Sequence, residues 1–208
     1  MSVRALLMWL VVSVQDDAAL TRIQAMVARP TTMCGAFEQQ KTLVGLRRPV
    51  QSSGRFCVMK DRGVLWSTLT PFPATLKLSR AEIVESQGDR VTSRLSARDE
   101  PTVGMISEML FAVLAGDLSG LRSGFTIDAS TDAATWRARM TPKDAGLRRV
   151  IDAIELTGGE FVRQIRITEA SGDHTVIAFT GFVTGPSALL PDEARALNGS
   201  GAVGKPPR

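Results

Sequence analysis

Along most of this chain, hydrophobic and polar positions alternate in short runs with the two-residue period of strands that bury one face and wet the other. The first runs cover 33–44 and 51–60, separated by a polar turn at Arg47-Arg48-Pro49. Gly63 marks the next turn, and a third strand over 64–69 ends at Pro71-Phe72-Pro73. Thr75-Leu76-Lys77-Leu78 and Glu82-Ile83-Val84 predict a fourth and fifth strand, since proline confines pairing to their ends. In the distal half Trp136, Ala138 and Met140 alternate with Arg137, Arg139 and Thr141, and Phe161, Ile165 and Ile167 with Val162, Gln164 and Arg166. Turns at Gly158-Gly159 and Gly172-Asp173 join strands 151–157, 160–168 and 174–182 into a meander. The pattern predicts an antiparallel sheet.

Helical spacing interrupts this pattern three times. Leu20, Ile23 and Val27 form one apolar face, with Asp16 or Asp17 as N-cap and Arg29-Pro30 as the stop. A second helix is expected over 101–115, where Val103, Ile106, Leu110, Val113 and Leu114 make a stripe that Met105, Met109 and Phe111 widen. So apolar a helix packs against more than one surface or covers an apolar one. A short helix over 191–197 precedes a Gly/Pro-rich tail over 198–208. At the other end Arg4 leads into the apolar run 5–14, shorter than the ~20 residues that span a bilayer, so 1–17 reads as a signal peptide and its product as soluble outside the cytoplasm. Residues 18–197 are then expected to form one domain of the α+β class.

Charge and composition narrow the function classes. The formal charge of +4 in 208 residues comes from scattered arginines, not a basic arm, which speaks against nucleic acid as a partner. Only Cys34 and Cys57 are present. A hairpin turn at Arg47-Arg48-Pro49 would set Cys34 opposite a residue well beyond Cys57, so this register predicts two buried free thiols. His174, the only histidine, adjoins Asp173 in a predicted hairpin turn, and no G-x-S-x-G motif accompanies it. One histidine and two cysteines on separate strands are poor material for a zinc site. Glu155, Glu160 and Glu169 read as solvated strand and turn carboxylates. The chain is therefore expected to have no catalytic residues, metal or cofactor, and to offer an apolar surface facing an apolar helix. Whether side chains fill that space or leave a ligand cavity stays open at this point.

The order of helix, Phe37-x-Gln39-x-Lys41, Ser53-Gly54-x-Phe56, Trp66-x4-Pro71 and a lid-like helix before Phe125-x-Ile127 resembles the LolA-like outer-membrane lipoprotein carriers. Asp61-Arg62-Gly63-Val64-Leu65-Trp66, Pro71-Phe72-Pro73 and Met140-Thr141-Pro142-Lys143 add to the resemblance, which spans nearly the whole mature chain. It implies an unclosed, strongly curved antiparallel β-barrel with a helical lid over an apolar cavity. It also implies periplasmic carriage of acylated lipoproteins from an inner-membrane release complex to an outer-membrane acceptor. The expected lining is Phe37, Phe56, Val58, Trp66, Leu76, Leu110, Leu114, Trp136 and Met140, with Lys60 or Arg62 and Val113 and Ala115 gating the lid. Without tyrosine and with 5% aromatic residues, the lining would be largely aliphatic. Alternatives are a carrier of the same fold for another acyl lipid or glycolipid export route, a scaffold with a filled core, or a hydrolase.

Overall fold

A computed structural model describes residues 18–99, 111–113 and 118–199. Its strands are β1 (Thr32–Thr42), β2 (Val50–Met59), β3 (Gly63–Thr70), β4 (Ala74–Leu78), β5 (Glu82–Gln87), β6 (Arg90–Ser96), β7 (Phe125–Asp132), β8 (Thr135–Pro142), β9 (Ile151–Gly158), β10 (Val162–Glu169) and β11 (His174–Thr184). They form one antiparallel sheet in the order β6-β5-β4-β3-β2-β1-β11-β10-β9-β8-β7. β6 and β7 end the sheet unpaired to each other, so it is not closed, as the unclosed-barrel expectation requires. Three α-helical stretches are described, α1 over 18–26, α2 over 111–113 and α3 (Pro191–Asn198), besides short 3₁₀ turns at Ser119–Ser123, Leu147–Arg149 and Pro186–Ala188. The rest of the expected lid helix, including Leu110, Leu114 and Ala115, lies outside the described residues.

The chain divides into two compact units. Unit 1 comprises 1–28, 41–50 and 116–177; unit 2 comprises 29–40, 51–115 and 178–208. In unit 1 the pleat sorts side chains by row. Ala129, Ala138, Leu156 and Ile165 are mutual cross-strand neighbours and all are buried. One residue along, Asp128, Arg139, Glu155 and Arg166 form the solvated row, where Glu155 pairs with Arg139 and, at 3.9 Å, with Arg166. α1 buries Leu20, Ile23 and Val27, as their spacing predicts.

Two strands escape the pattern reading. β6 carries only Val91 and Leu95 as large apolar residues, and its alternating positions are half-buried at most, too weak a contrast to stand out. β7 alternates cleanly, but its buried positions shrink from Phe125 and Ile127 to Ala129 among hydroxyl-rich neighbours.

The cysteine expectation is overturned: Cys34 and Cys57 form a disulfide, with Cα atoms 4.1 Å apart, and both are buried. The reason is the position of the turn. The chain reverses at Leu43–Leu46, where Leu46 N–H donates to the Leu43 carbonyl at 3.0 Å and Gly45 takes φ +88°, the left-handed third position of a type II turn. That reversal precedes Arg47-Arg48-Pro49 and draws the residue opposite Cys34 back to Cys57. The Lys60 N–H to Thr31 carbonyl bond of 2.8 Å continues the same register.

Candidate functional site

The site is built on one face of the unit 2 strands. Phe56 lies directly opposite Trp66 across β2 and β3, and Trp66 opposite Leu76 across β3 and β4. Val58, Val64, Leu78 and Ile83 form the next row on the same face. Phe37 stacks on Trp66 with ring centroids 3.9 Å apart, and Phe179 meets Phe56 at 5.0 Å and Trp66 at 5.9 Å, both edge-on. Such pairs add about 0.5–1.5 kcal/mol each beyond the area they bury.

Two glycines make room for these rings. A Cβ on Gly35 would come within 2.8 Å of the Phe56 ring, and one on Gly54 within 2.9 Å of the Phe37 ring. Gly35-x-Phe37 on β1 and Gly54-x-Phe56 on β2 therefore interlock crosswise, each phenylalanine lying over the other strand's glycine. Phe37 and Phe56 are fully buried, whereas Trp66 and Leu76 are half-buried and present part of their surface outward. The face can make apolar contacts; among the described residues it carries no nucleophile with a base.

The opposite face of these strands is occupied. Cys34, Cys57 and Leu65 pack there against Ala188 and Leu197, so α3 covers that side. Arg55 fixes the near end of α3, its Nε donating to Glu193 Oε1 at 2.6 Å and its Nη2 to the Ala188 carbonyl at 2.6 Å. Glu193 Oε2 also accepts from the Leu190 N–H at 2.8 Å, satisfying a free donor at the helix start. Lys77 Nζ donates to the Ala196 and Gly199 carbonyls at the far end, which lack helical partners and carry the negative end of the helix dipole. The donor atoms of Cys34, Cys57 and Glu193 lie within 4.8 Å of one another. The disulfide and the Arg55 pair occupy them, so this cluster does not read as a metal centre.

Of the expected lining residues, Phe37, Phe56, Val58, Trp66 and Leu76 thus share one face of unit 2. Trp136 and Met140 belong to unit 1 and are buried there. Trp136 donates its indole N–H to the Gly159 carbonyl at 2.8 Å, and Met140 sits between Ile127 and Ile154. A cavity of about 500 Å³ in unit 1 is bordered by Trp136 together with polar side chains such as Ser130, Asp132, Arg137 and Thr157. Its character is unlike that of the unit 2 face. Val113, on α2, is buried. Lys60 and Arg62 are exposed and lie in the turn between β2 and β3, where Asp61 takes φ +63° and Arg62 N–H donates to the Met59 carbonyl at 3.1 Å. They therefore do not share a strand face. His174 begins β11 and is half-buried.

Sequence reading missed Phe179, Gly35, Arg55, Lys77 and Glu193. The repeated Gly-x-Phe was a usable signal for the first two strands; the long-range charge pairing of Arg55 with Glu193 had none.

The family model described as outer membrane lipoprotein carrier protein LolA matches residues 29–189. A DUF1329 family protein from Desulfovibrio piger superposes with a TM-score of 0.50 at 14% identity, covering 90% of this chain and 99% of that one. A LolA superfamily protein from Nitrosomonas europaea gives 0.46 at 10% identity, covering 85% and 95%. A putative outer membrane lipoprotein-sorting protein domain from Vibrio parahaemolyticus gives 0.45 at 10%, covering 85% and 96%. No curated protein sequence matches the chain.

Proposed function

Since the chain belongs to the LolA family of outer membrane lipoprotein carrier proteins, for which a lipid- or lipoprotein-binding carrier role is the common theme, we propose that it binds the acyl chains of lipoproteins and carries them across the periplasm from the inner to the outer membrane. The observation that carries this reading is the aromatic and aliphatic face of β1–β4, where Trp66 and Leu76 remain partly open while α3 covers the other side. Residues 18–197 act as the carrier domain and 1–17 as its signal peptide. A buried disulfide supports an oxidising compartment, because thiols of cytosolic proteins are kept reduced.

Binding needs no covalent step. Each buried CH₂ contributes about 0.8 kcal/mol, so six or seven methylenes laid against the Trp66 face supply roughly 5 kcal/mol. Release then comes from a partner that prefers the open carrier, at the inner-membrane release complex or the outer-membrane acceptor. Lys60 or Arg62 is the proposed latch of the lid, whose carbonyls at 114–116 lie outside the described residues; a cation at a helix C-terminus gains roughly 0.3–1 kcal/mol, which cargo or partner can overcome. Titration of the protein with a triacylated lipopeptide tests the reading by calorimetry. Saturable binding is expected, weakened at least about tenfold in Trp66→Ala, whose lost ring is worth more than 1.4 kcal/mol of apolar contact. Absence of heat and of saturation with the wild type overturns it. Lys60→Leu and Arg62→Leu test the latch: transfer to an acceptor unchanged in both removes it.

A further inference from the structure

Two segments of unit 1 repeat one pattern: Leu46-Arg47-Arg48-Pro49-Val50 and Leu147-Arg148-Arg149-Val150. The topology brings them to the same end of four neighbouring strands. β1 runs out into the first segment, β9 begins after the second, and β11 and β10 lie between them in the sheet. The turn joining β10 to β11 bonds to both sides: Val44 N–H donates to Asp173 Oδ1 at 2.7 Å, and Ala170 N–H donates to the Val150 carbonyl at 3.0 Å.

This end is apolar and cationic together. Val44, Leu46, Val50 and Val150 are 71%, 55%, 50% and 60% exposed. The four arginines of the repeated pattern are exposed, and among the described residues none has an ion-pair partner. Of the carboxylates nearby, Glu169 is paired with Lys41 at 2.8 Å. Among the described residues Asp173 and Asp144 accept only backbone N–H bonds, from Val44 and from Leu147 at 2.9 Å, so with Asp152 on β9 these three leave the four arginines in excess by one charge. Exposed aliphatic residues scattered singly need no explanation. Four of them on contiguous turns, interleaved with four unpaired guanidinium groups, are a different case. Protein-binding patches are enriched in aromatic, Met and Arg side chains; the two Leu-Arg-Arg turns supply the arginines but no aromatic or Met anchor. Separated aliphatic tips ringed by cations match a surface that dips into a lipid headgroup layer.

We infer that this end of unit 1 docks on an anionic phospholipid bilayer, its arginines drawn to the headgroups and its four aliphatic tips inserting shallowly. The inference stands apart from acyl-chain binding on unit 2, and the two fail separately.

The test is sedimentation of the full chain with vesicles of phosphatidylcholine containing phosphatidylglycerol, and with phosphatidylcholine alone. An R47Q/R48Q/R148Q/R149Q variant carries the same N-terminal apolar run, so any difference reports the turns. An arginine near an anionic surface contributes about fivefold to partitioning, so the variant is expected to partition at least about a hundredfold less onto anionic vesicles at low salt. Wild-type binding is expected to fall as salt is added, and V44S/L46S to bind several-fold less with its charge intact. Unchanged melting and unchanged lipopeptide uptake in the arginine variant would separate docking from folding and from cargo binding. Equal partitioning of wild type and arginine variant overturns the inference, as does equal wild-type binding to neutral and anionic vesicles. Capture of an acidic protein without vesicle binding overturns it in favour of a protein partner.

Discussion

Breaking the Cys34–Cys57 disulfide will cost the fold about 3.4 kcal/mol. The bridge spans a sequence separation of 23, and closing a loop of that size in the unfolded chain removes about 11 cal/mol/K of entropy, or about 3.4 kcal/mol at 25 °C. Both sulfurs are buried beneath α3 against Leu65, Ala188 and Leu197, so the packing around them is retained when only the covalent bond is lost. For a chain of this size each kcal/mol moves the melting midpoint by about 2–4 °C, which gives a shift of about 7–14 °C. The assay compares urea and thermal unfolding of the oxidised protein with protein unfolded and refolded in reductant, the thiols counted chemically in each sample. Cys34→Ala/Cys57→Ala is the control: it starts less stable and does not respond to reductant. A wild-type midpoint indifferent to verified reduction would mean that the bridge does not constrain the unfolded chain as the loop length requires.

Other perturbations separate the remaining contacts. Gly54→Ala places a Cβ against the Ser67 carbonyl and the Phe37 ring and is expected to destabilise by about 1–3 kcal/mol in chemical denaturation, while Gly120→Ala, which meets nothing within 4 Å, stays within about 0.5 kcal/mol. Arg55→Met strands the buried Glu193 carboxylate and is expected to cost about 2–3 kcal/mol, most of it recovered in Arg55→Met/Glu193→Gln; equal losses in both variants would mean the charge is not the cause. Lys77→Met removes the cation from the last carbonyls of α3 and is expected to cost about 0.5–1.5 kcal/mol and to speed amide exchange at 194–199.

What could be read from sequence was local. The alternation of Trp136, Ala138 and Met140 against Arg137, Arg139 and Thr141 identifies β8 because each side chain's fate depends only on the pleat. The apolar face of α1 is legible for the same reason. The disulfide was lost through one turn: Pro49 and two arginines outweighed Gly45 as the reversal point, and a shift of a few residues changes every cross-strand partner. Part of the candidate site was visible, since Phe37, Phe56 and Trp66 come from adjacent strands. Phe179 joins from strand β11, and on the opposite face Glu193 of α3 reaches back to Arg55 of β2; each partner is more than a hundred residues away, where no spacing rule reaches. Trp136 and Met140 look like Trp66 in sequence, as large apolar residues on alternating strands, and both are buried on β8.

Carriage of acylated cargo is tested by mass spectrometry of whatever remains bound after native purification from the cell envelope, with the protein denatured only at the last step. Lipoprotein-derived acylated species are expected in stoichiometric amounts from the wild type and markedly less from Trp66→Ala. A wild-type protein that releases no acylated molecule, and gains no thermal stability from added lipopeptide, would contradict it.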